Sequence, residues 1–125
     1  MLASRVEMAQ TRADRKRGLL GRSGLADGAA LVIVPCCAIH TFGMHFAIDV
    51  VFVDAHGRVK KIVRDLPPWR MAAAGSARAV IELAAGSLLP DGVLSIGDRL
   101  YVELTAKEAP PPVNWEACMA TAAGQ

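Results

Sequence analysis

The sequence predicts a small, mainly β domain of the α+β class, built as a curled antiparallel or mixed sheet or as a small barrel, with one or two short helices. Three observations lead to this prediction. Short β-branched and apolar runs recur along the chain, turn residues separate them, and helix signals are few and brief. The 125 residues, 53% of them hydrophobic, suit one domain with its own core. We expect it to span residues 1–104, followed by a proline-rich tail at 105–125.

The N-terminal part predicts an edge strand over residues 2–8 and then a short helix. Thr11 is a suitable N-cap, because its hydroxyl can accept the N–H of the acidic Asp14 three residues later. Gly21 and Gly24 can end the helix. The basic residues on and after the helix could contact phosphate, but no aromatic residues interleave with them. A solvated face is the simpler interpretation.

Two continuous apolar runs, 29–34 and 46–53, predict strands that are buried on both faces. The second run leads into a turn at 54–57 and a returning strand at 58–63, so that these residues form a β-hairpin. Asp65 to Arg70 contains two prolines and predicts a fixed loop. The remaining expectations are a flexible segment at 71–76, a strand at 78–83, one helical turn within 84–92 and a half-buried strand at 99–104.

Charge and cysteine content exclude several classes of protein. A net charge of +2, from 14 basic and 12 acidic residues, argues against a dedicated nucleic-acid binder. No apolar run reaches eighteen residues and the N-terminus has no signal-peptide core, so we expect a cytoplasmic protein without a membrane partner. The odd cysteine count argues against a disulfide framework.

Asp49 is the residue most suggestive of function, because it lies in the middle of the most apolar strand. Burying an ionised carboxylate without partners costs on the order of several kcal/mol or more. Asp49 must therefore pair with a cation, accept several hydrogen bonds, lie in a cleft or be protonated. It is either a structural residue that binds loop backbone or a general base or ligand anchor. The sequence leaves both possibilities open.

His40 precedes Asp49 in a turn-like segment, where a carboxylate could orient it as an acid or base. It could equally make one structural hydrogen bond. A metal site of His40, His45 and Asp49 is disfavoured, because a spacing of five residues fits one face of neither a strand nor a helix. We expect no metal and no cofactor. Cys36 and Cys37 are expected to be packing thiols rather than nucleophiles.

Trp69 and Arg70 follow two prolines, so their backbone is restricted. They could wall a pocket and hold an anion there, or Trp69 could close the end of a barrel. The sequence does not decide between these roles.

The chain resembles the DUF192 family, also called UPF0127, over residues 5–104. The resemblance lies in Arg17-Gly-Leu-Leu20, Ile39-His-Thr-Phe-Gly-Met44, Ile48-Asp-Val-Val-Phe-Val-Asp54, Leu66-Pro-Pro-Trp69, Ile81-Glu-Leu-Ala-Ala-Gly86 and Gly97-Asp98. It implies a bacterial or archaeal protein with a compact, mainly β fold and no established function. Many members carry an export signal. The family motif positions here are His40, Met44, Asp49, Glu82, Gly86, Gly97 and Asp98.

Three hypotheses follow, and the sequence does not decide whether the protein is an enzyme. The first is a binding module with a pocket near His40, Asp49 and Trp69 for an unknown small ligand or peptide. The second is a hydrolytic enzyme with His40 and Asp49 as an acid/base pair. The third is that these residues are purely structural. The candidate site residues are His40, Thr41, Met44, Asp49, Trp69, Arg70, Glu82 and Asp98.

Overall fold

A computed structural model describes residues 2–88 and 94–100. Its strands make a five-stranded sheet in the order β1-β2-β7-β4-β5 and a two-stranded sheet, β3-β6. The elements are β1 Arg5–Ala9, α1 Arg12–Arg17, β2 Ala29–Ile33, β3 Ala38–His40, β4 Ile48–Val53, β5 Val59–Leu66, β6 Met71–Ala73 and β7 Ala79–Ala84.

Seven strands and one short helix in the described residues confirm the mainly β prediction, and the larger sheet is mixed. β1 and β2 run parallel, joined by the segment that contains α1, while the pairs β2-β7, β7-β4 and β4-β5 are antiparallel. In the described residues the sheet remains open, so the alternative of a small closed barrel is not confirmed. The one helix among residues 2–88 and 94–100 is short because Gly18, at its C-cap, has a positive φ of 48°.

Two local predictions are confirmed, whereas the helix ends earlier than predicted, with Gly18 in place of Gly21 or Gly24 at its C-cap. Thr11 caps α1, and its hydroxyl oxygen accepts the amide of Asp14 at 3.0 Å. The predicted hairpin is present as β4 and β5, with Gly57 at φ +79° in the turn. Of the predicted strand 99–104, only residues 99 and 100 are described, and Arg99 forms a β-bridge with Arg58.

Side chains from the two faces of the larger sheet form two hydrophobic clusters. Every residue of β4 is buried, as expected for a central strand covered on both sides. Val50, Phe52 and Val80 lie in the first cluster, while Val51 and Ile81 lie in the second. Since successive side chains of a strand alternate between faces, Glu82 points with Val80 into the first cluster and Asp49 points with Val51 into the second.

The smaller sheet covers the first cluster and was not predicted. The sequence suggested a turn-like segment around His40 and flexibility at 71–76, yet β3 and β6 pair with His40 opposite Met71. Three-residue strands are too short to show a hydrophobic period, so their pairing depends on the tertiary structure. The strand β5 also extends to Leu66, into the segment expected to be a loop. Its penultimate residue, Asp65, has a φ of +54°.

In the described residues, no helix has the length and apolarity that crossing a membrane requires. The boundary expected at residue 104 and the tail at 105–125 lie outside the described residues, as do residues 89–93 of the predicted helical turn.

Replacing Gly57 with alanine is expected to destabilise the protein by more than about 2 kcal/mol, because a positive φ and a steric overlap add up. At φ +79°, a Cβ on Gly57 would overlap the carbonyl oxygen of Leu100, a backbone atom that cannot move alone. The measurement is the free energy of unfolding in urea. Gly75→Ala is the matched control, since a Cβ there meets no atom within 4 Å. Equal losses in the two variants would contradict the argument.

Candidate binding surface

Thr41 is the centre of the polar contacts that hold the candidate site together. It is fully buried, and its hydroxyl donates to the carbonyl oxygen of Pro67 at 2.7 Å and accepts the amide of Arg70 at 2.9 Å. Its own amide donates to the carbonyl oxygen of Arg70 at 2.8 Å, and its carbonyl oxygen accepts the amide of Trp69 at 3.1 Å. Four hydrogen bonds thus join the turn after β3 to the loop between β5 and β6.

Trp69 occupies a backbone conformation that tryptophan rarely adopts. Its φ is +64°, and a left-handed conformation costs a residue with a Cβ roughly 1–2 kcal/mol. The two prolines before it and the hydrogen bonds to Thr41 hold this conformation. Its side chain is nevertheless 64% exposed. The fold therefore fixes the backbone of a large side chain that it does not bury, a combination that occurs at binding sites.

Three rings form a row on this surface. The His40 and Phe42 rings stack with centroids 4.4 Å apart and an interplanar angle of 23°. Phe42 and Trp69 follow at 5.8 Å and 22°. The Nδ1 atom of His40 accepts the amide of Phe42 at 3.1 Å and so carries no proton. Partial burial lowers the pKa of His40 below 6.5, which favours the neutral ring.

Two further apolar side chains extend the row. Met71 lies opposite His40 in the β3-β6 pair and is 62% exposed, while Leu20 is 47% exposed. The Leu20 Cδ1 atom would lie 3.5 Å from a Cβ on Gly43, so Leu20 borders the turn that carries Phe42. Six large hydrophobic residues of the described chain are exposed, and four of them are Leu20, Phe42, Trp69 and Met71. We call His40, Phe42, Trp69 and Met71 the aromatic surface.

Asp49 does not belong to this surface. It is 1% exposed, and its Oδ1 and Oδ2 atoms accept the amides of Asp65 at 2.8 Å and Leu88 at 2.9 Å. Its side chain points into the second cluster, whereas β3, which bears His40, packs over the first. The carboxylate therefore joins β4 to the backbone near the end of β5 and to the backbone after β7, and it forms no hydrogen bond with His40.

Glu82 is the second carboxyl group inside the sheet, and it is fully buried. On the central strand β7 it lies between Leu31 of β2 and Val50 of β4. Neither carboxyl oxygen has a hydrogen-bond partner among the described residues. Burial raises the pKa of Glu82 to about 8, and the charge of Arg22 opposes that rise. At pH 7 the folded protein therefore holds this side chain mainly as a neutral acid.

Of the other predicted site residues, Arg70 lies beside Trp69, whereas Met44 and Asp98 lie elsewhere. Arg70 is exposed beside Trp69, and its guanidinium donates to the carbonyl oxygen of Trp69 at 3.3 Å. Met44 is 3% exposed and belongs to the core beneath the aromatic surface. Asp98 lies in an exposed turn, where its Oδ2 atom accepts the amide of Ser95 at 2.9 Å. The structure thus brings together four of the eight candidates: His40, Thr41, Trp69 and Arg70.

Other reactive side chains form no second site. The Cys36 thiol is buried and donates to the carbonyl oxygen of Ala38 at 3.2 Å, as expected for a packing role. His45 is exposed. Within residues 2–88 and 94–100, no group of three or more His, Cys, Asp or Glu side chains is arranged to hold a metal ion.

Sequence reasoning missed Phe42 and Met71 as site residues. Phe42 lies two residues from His40, and side chains at i and i+2 of an extended chain share one face, so this stack was open to prediction. Met71 carried no comparable signal, because its place beside His40 depends on a strand pair that the sequence does not predict.

The family model for DUF192, described as an uncharacterized ACR, matches residues 2–102. The chain belongs to the DUF192 family. Among curated proteins, none matches the sequence significantly. A crystal structure of a protein of unknown function from Novosphingobium aromaticivorans DSM 12444 is similar, at 27% identity and a TM-score of 0.67. The match covers 75% of this chain and 71% of the other.

A second crystal structure has the same fold at lower identity. It is of a protein from Sinorhizobium meliloti 1021 that is provisionally described as a transcription regulator. The identity is 24%, the TM-score is 0.67, and the match covers 75% of this chain and 78% of that one. Both structures thus share the fold of this chain. The description of the DUF192 family assigns no activity.

Proposed function

We propose that the protein is a binding module and that the aromatic surface holds an extended apolar peptide. The observation that carries the proposal is the row of stacked rings from His40 through Phe42 to Trp69, in which Phe42 and Trp69 are exposed and hydrogen bonds to the buried Thr41 hold the backbone in place. Large exposed apolar groups that lie together mark interaction sites more often than single ones do. The contact area is an open surface, in place of the pocket expected from the sequence.

The rigidity of the site supports binding over a role in packing. A preformed site loses little conformational entropy when a ligand binds, so more of the contact energy appears as affinity. Thr41 supplies that rigidity with four hydrogen bonds, two through its backbone and two through its hydroxyl. Arg70, exposed at the edge, offers a cation to an acidic group of the ligand.

A fluorescein-labelled decaproline peptide tests the proposal by fluorescence anisotropy. Decaproline is rigid, and its polyproline II form docks on aromatic-lined surfaces. We expect saturable binding to the wild type and a loss of affinity of at least about tenfold in Trp69→Ala, because a central aromatic contact dominates such sites. Ile96→Ala is the matched control, since Ile96 is 60% exposed and lies outside the aromatic surface. Equal affinity of all three proteins would refute the proposal.

The hydrolytic alternative gains no support from the described residues. Asp49 has both oxygens bound to backbone amides, and the Nδ1 atom of His40 accepts an amide, so the expected acid/base pair is not formed. For Asp49 we infer the structural role that the sequence left open. The cytoplasmic location expected from the sequence stays a prediction.

A further inference from the structure

We infer that β1 is a dimer interface, at which two copies of this chain pair their β1 strands antiparallel about Val6. The two larger sheets then join into one continuous sheet. This surface is separate from the aromatic surface, so the pairing goes beyond the proposed function. Three properties of β1 support it: its place at the edge of the sheet, the direction of its backbone groups and the order of its charges.

β1 is an edge strand with one open side. It comes first in the order β1-β2-β7-β4-β5, and among residues 2–88 and 94–100 it pairs with β2 alone. Arg5, Val6 and Glu7 are all exposed. Val6 is 39% exposed, and this large hydrophobic side chain does not belong to the aromatic surface. An open edge of this kind is a template for a strand of another chain.

Backbone hydrogen bonds show which residues of β1 face outwards. The amide of Arg5 donates to the carbonyl oxygen of Gly28 at 3.0 Å, and the carbonyl oxygen of Ala9 accepts the amide of Val34 at 3.1 Å. Arg5 and Ala9 therefore direct their backbone groups toward the β2 side. Since successive residues of a strand direct these groups to opposite sides, Val6 presents its own at the open edge. Two Val6 residues placed opposite each other can thus exchange two hydrogen bonds.

The charges of β1 select one register. Val6 lies between Arg5 and Glu7, and directly opposite side chains of an antiparallel pair lie on the same face. With Val6 opposite its copy, Arg5 of each chain lies opposite Glu7 of the other, which gives two ion pairs. The nearest shifts that keep the outward hydrogen bonds place Glu7 opposite Glu7 or Arg5 opposite Arg5. Like charges directly opposite are destabilising, so the register about Val6 is favoured.

The side chains of β1 suit this register on both faces. Val6 aligns with Ala30 of the second cluster, so the two Val6 side chains cover each other on that face. Arg5 and Glu7 lie on the other face. Glu7 also binds Arg22, whose Nη1 atom donates to its Oε2 atom at 2.7 Å. A carboxylate has about four acceptor positions, so Glu7 can accept Arg5 of the second copy and keep Arg22.

The opposite edge of the larger sheet is unsuited to the same pairing. At the start of β5, the amide of Val59 donates to the carbonyl oxygen of Asp98 at 2.7 Å, so residues 97–100 cover that side. β5 also carries three cations and one anion, and its ladder with β4 has two register shifts. Both features keep other strands away from an edge. β1 has one cation, one anion and an unbroken register with β2.

Sedimentation velocity of the full chain over a concentration series tests the inference. We expect a monomer–dimer equilibrium with a Kd of about 10–100 μM, since one pair of edge strands buries less than a standard interface. Val6→Pro should weaken the dimer at least about tenfold, because proline removes the outward amide of each chain. The bonds of Arg5 and Ala9 to the β2 side do not involve that amide. Far-UV circular dichroism checks that the variant folds.

Charge reversals test the register and leave the backbone unchanged. Arg5→Glu places acids opposite acids, and Glu7→Arg places cations opposite cations, so each variant alone should be monomeric where the wild type is dimeric. An equimolar mixture of the two variants has opposite charges at both positions and should recover the dimer. Arg12→Glu is the matched control, since it makes the same charge change at an exposed residue outside β1. It should match the wild type.

Three results would overturn the inference. The first is a wild type that stays monomeric up to about 1 mM. The second is a dimer that Val6→Pro and both charge reversals leave unchanged, because another surface then forms the interface. The third is a mixture of Arg5→Glu and Glu7→Arg that stays monomeric, because the register about Val6 is then wrong. None of these results bears on the decaproline assay, which tests Trp69 separately.

Discussion

Replacing Glu82 with glutamine is expected to abolish a steep loss of stability between pH 5 and pH 8. In the unfolded chain the Glu82 carboxyl loses its proton near its ordinary pKa of 4.5, whereas burial raises the folded pKa to about 8. Between these values the folded state binds more protons than the unfolded state. The free energy of unfolding therefore falls as pH rises, by about 1.4 kcal/mol per pH unit, and levels off above the folded pKa.

Urea unfolding at several pH values measures this slope. The glutamine variant has no titrating group at position 82 and should be flat where the wild type falls. The window from pH 6.5 to pH 8 is the most informative, because the lowered pKa of His40 makes stability rise with pH up to about its ordinary value of 6.5. Glu7→Gln is the matched control: Glu7 is exposed, with an ion pair to Arg22 at 2.7 Å. If the free energy of unfolding still falls with pH in Glu82→Gln, another titrating group causes the slope.

Replacing Asp49 with alanine is expected to cost about 3–5 kcal/mol of stability, because two amides lose a buried, charge-assisted acceptor. The amides of Asp65 and Leu88 both lose their side-chain acceptor once the carboxylate is gone, and the Leu88 amide is buried. Thermal and urea unfolding both report the loss. In Asp49→Asn one acceptor oxygen remains, so the loss should be intermediate.

Asp54 provides a matched comparison for Asp49. Its Oδ1 atom also accepts two amides, those of His56 at 2.8 Å and Arg58 at 3.0 Å, but at an exposed turn. Water can replace the carboxylate there, so Asp54→Ala should cost clearly less than Asp49→Ala. Similar costs would contradict the structural role of Asp49. Asp49→Asn should leave decaproline binding unchanged, which separates a structural role from a ligand contact.

Buried polar groups and binding groups are thus separate in this protein. Asp49 and Glu82 lie on opposite faces of the larger sheet and act on its stability. The aromatic surface lies on the smaller sheet and adjoining loops, where Thr41 holds Trp69 in position. A variant at Asp49 or Glu82 that still folds is therefore expected to keep its affinity for decaproline. A variant at Trp69 is expected to keep the pH dependence of its stability.

The sequence by itself determined the features that depend on neighbouring residues. The Thr11 cap, the hairpin turn with Gly57 and the burial of β4 follow from local side-chain chemistry and from hydrophobic runs, and the structure confirms them. The motifs also identified the family. They selected Asp49 correctly as a residue that needs partners, since a carboxylate in an apolar strand must be satisfied.

Only the tertiary structure decided which residues meet. The partners of Asp49 are the amides of Asp65 and Leu88, sixteen and thirty-nine residues away in sequence. Met71 joins His40 through a strand pair of three residues, and Thr41 joins Trp69 through backbone hydrogen bonds across the fold. Such contacts leave no period or spacing in the sequence, because their energy depends on the register between distant segments. For that reason the sequence predicted a His40–Asp49 site, whereas the folded chain separates them and assembles a row of aromatic rings.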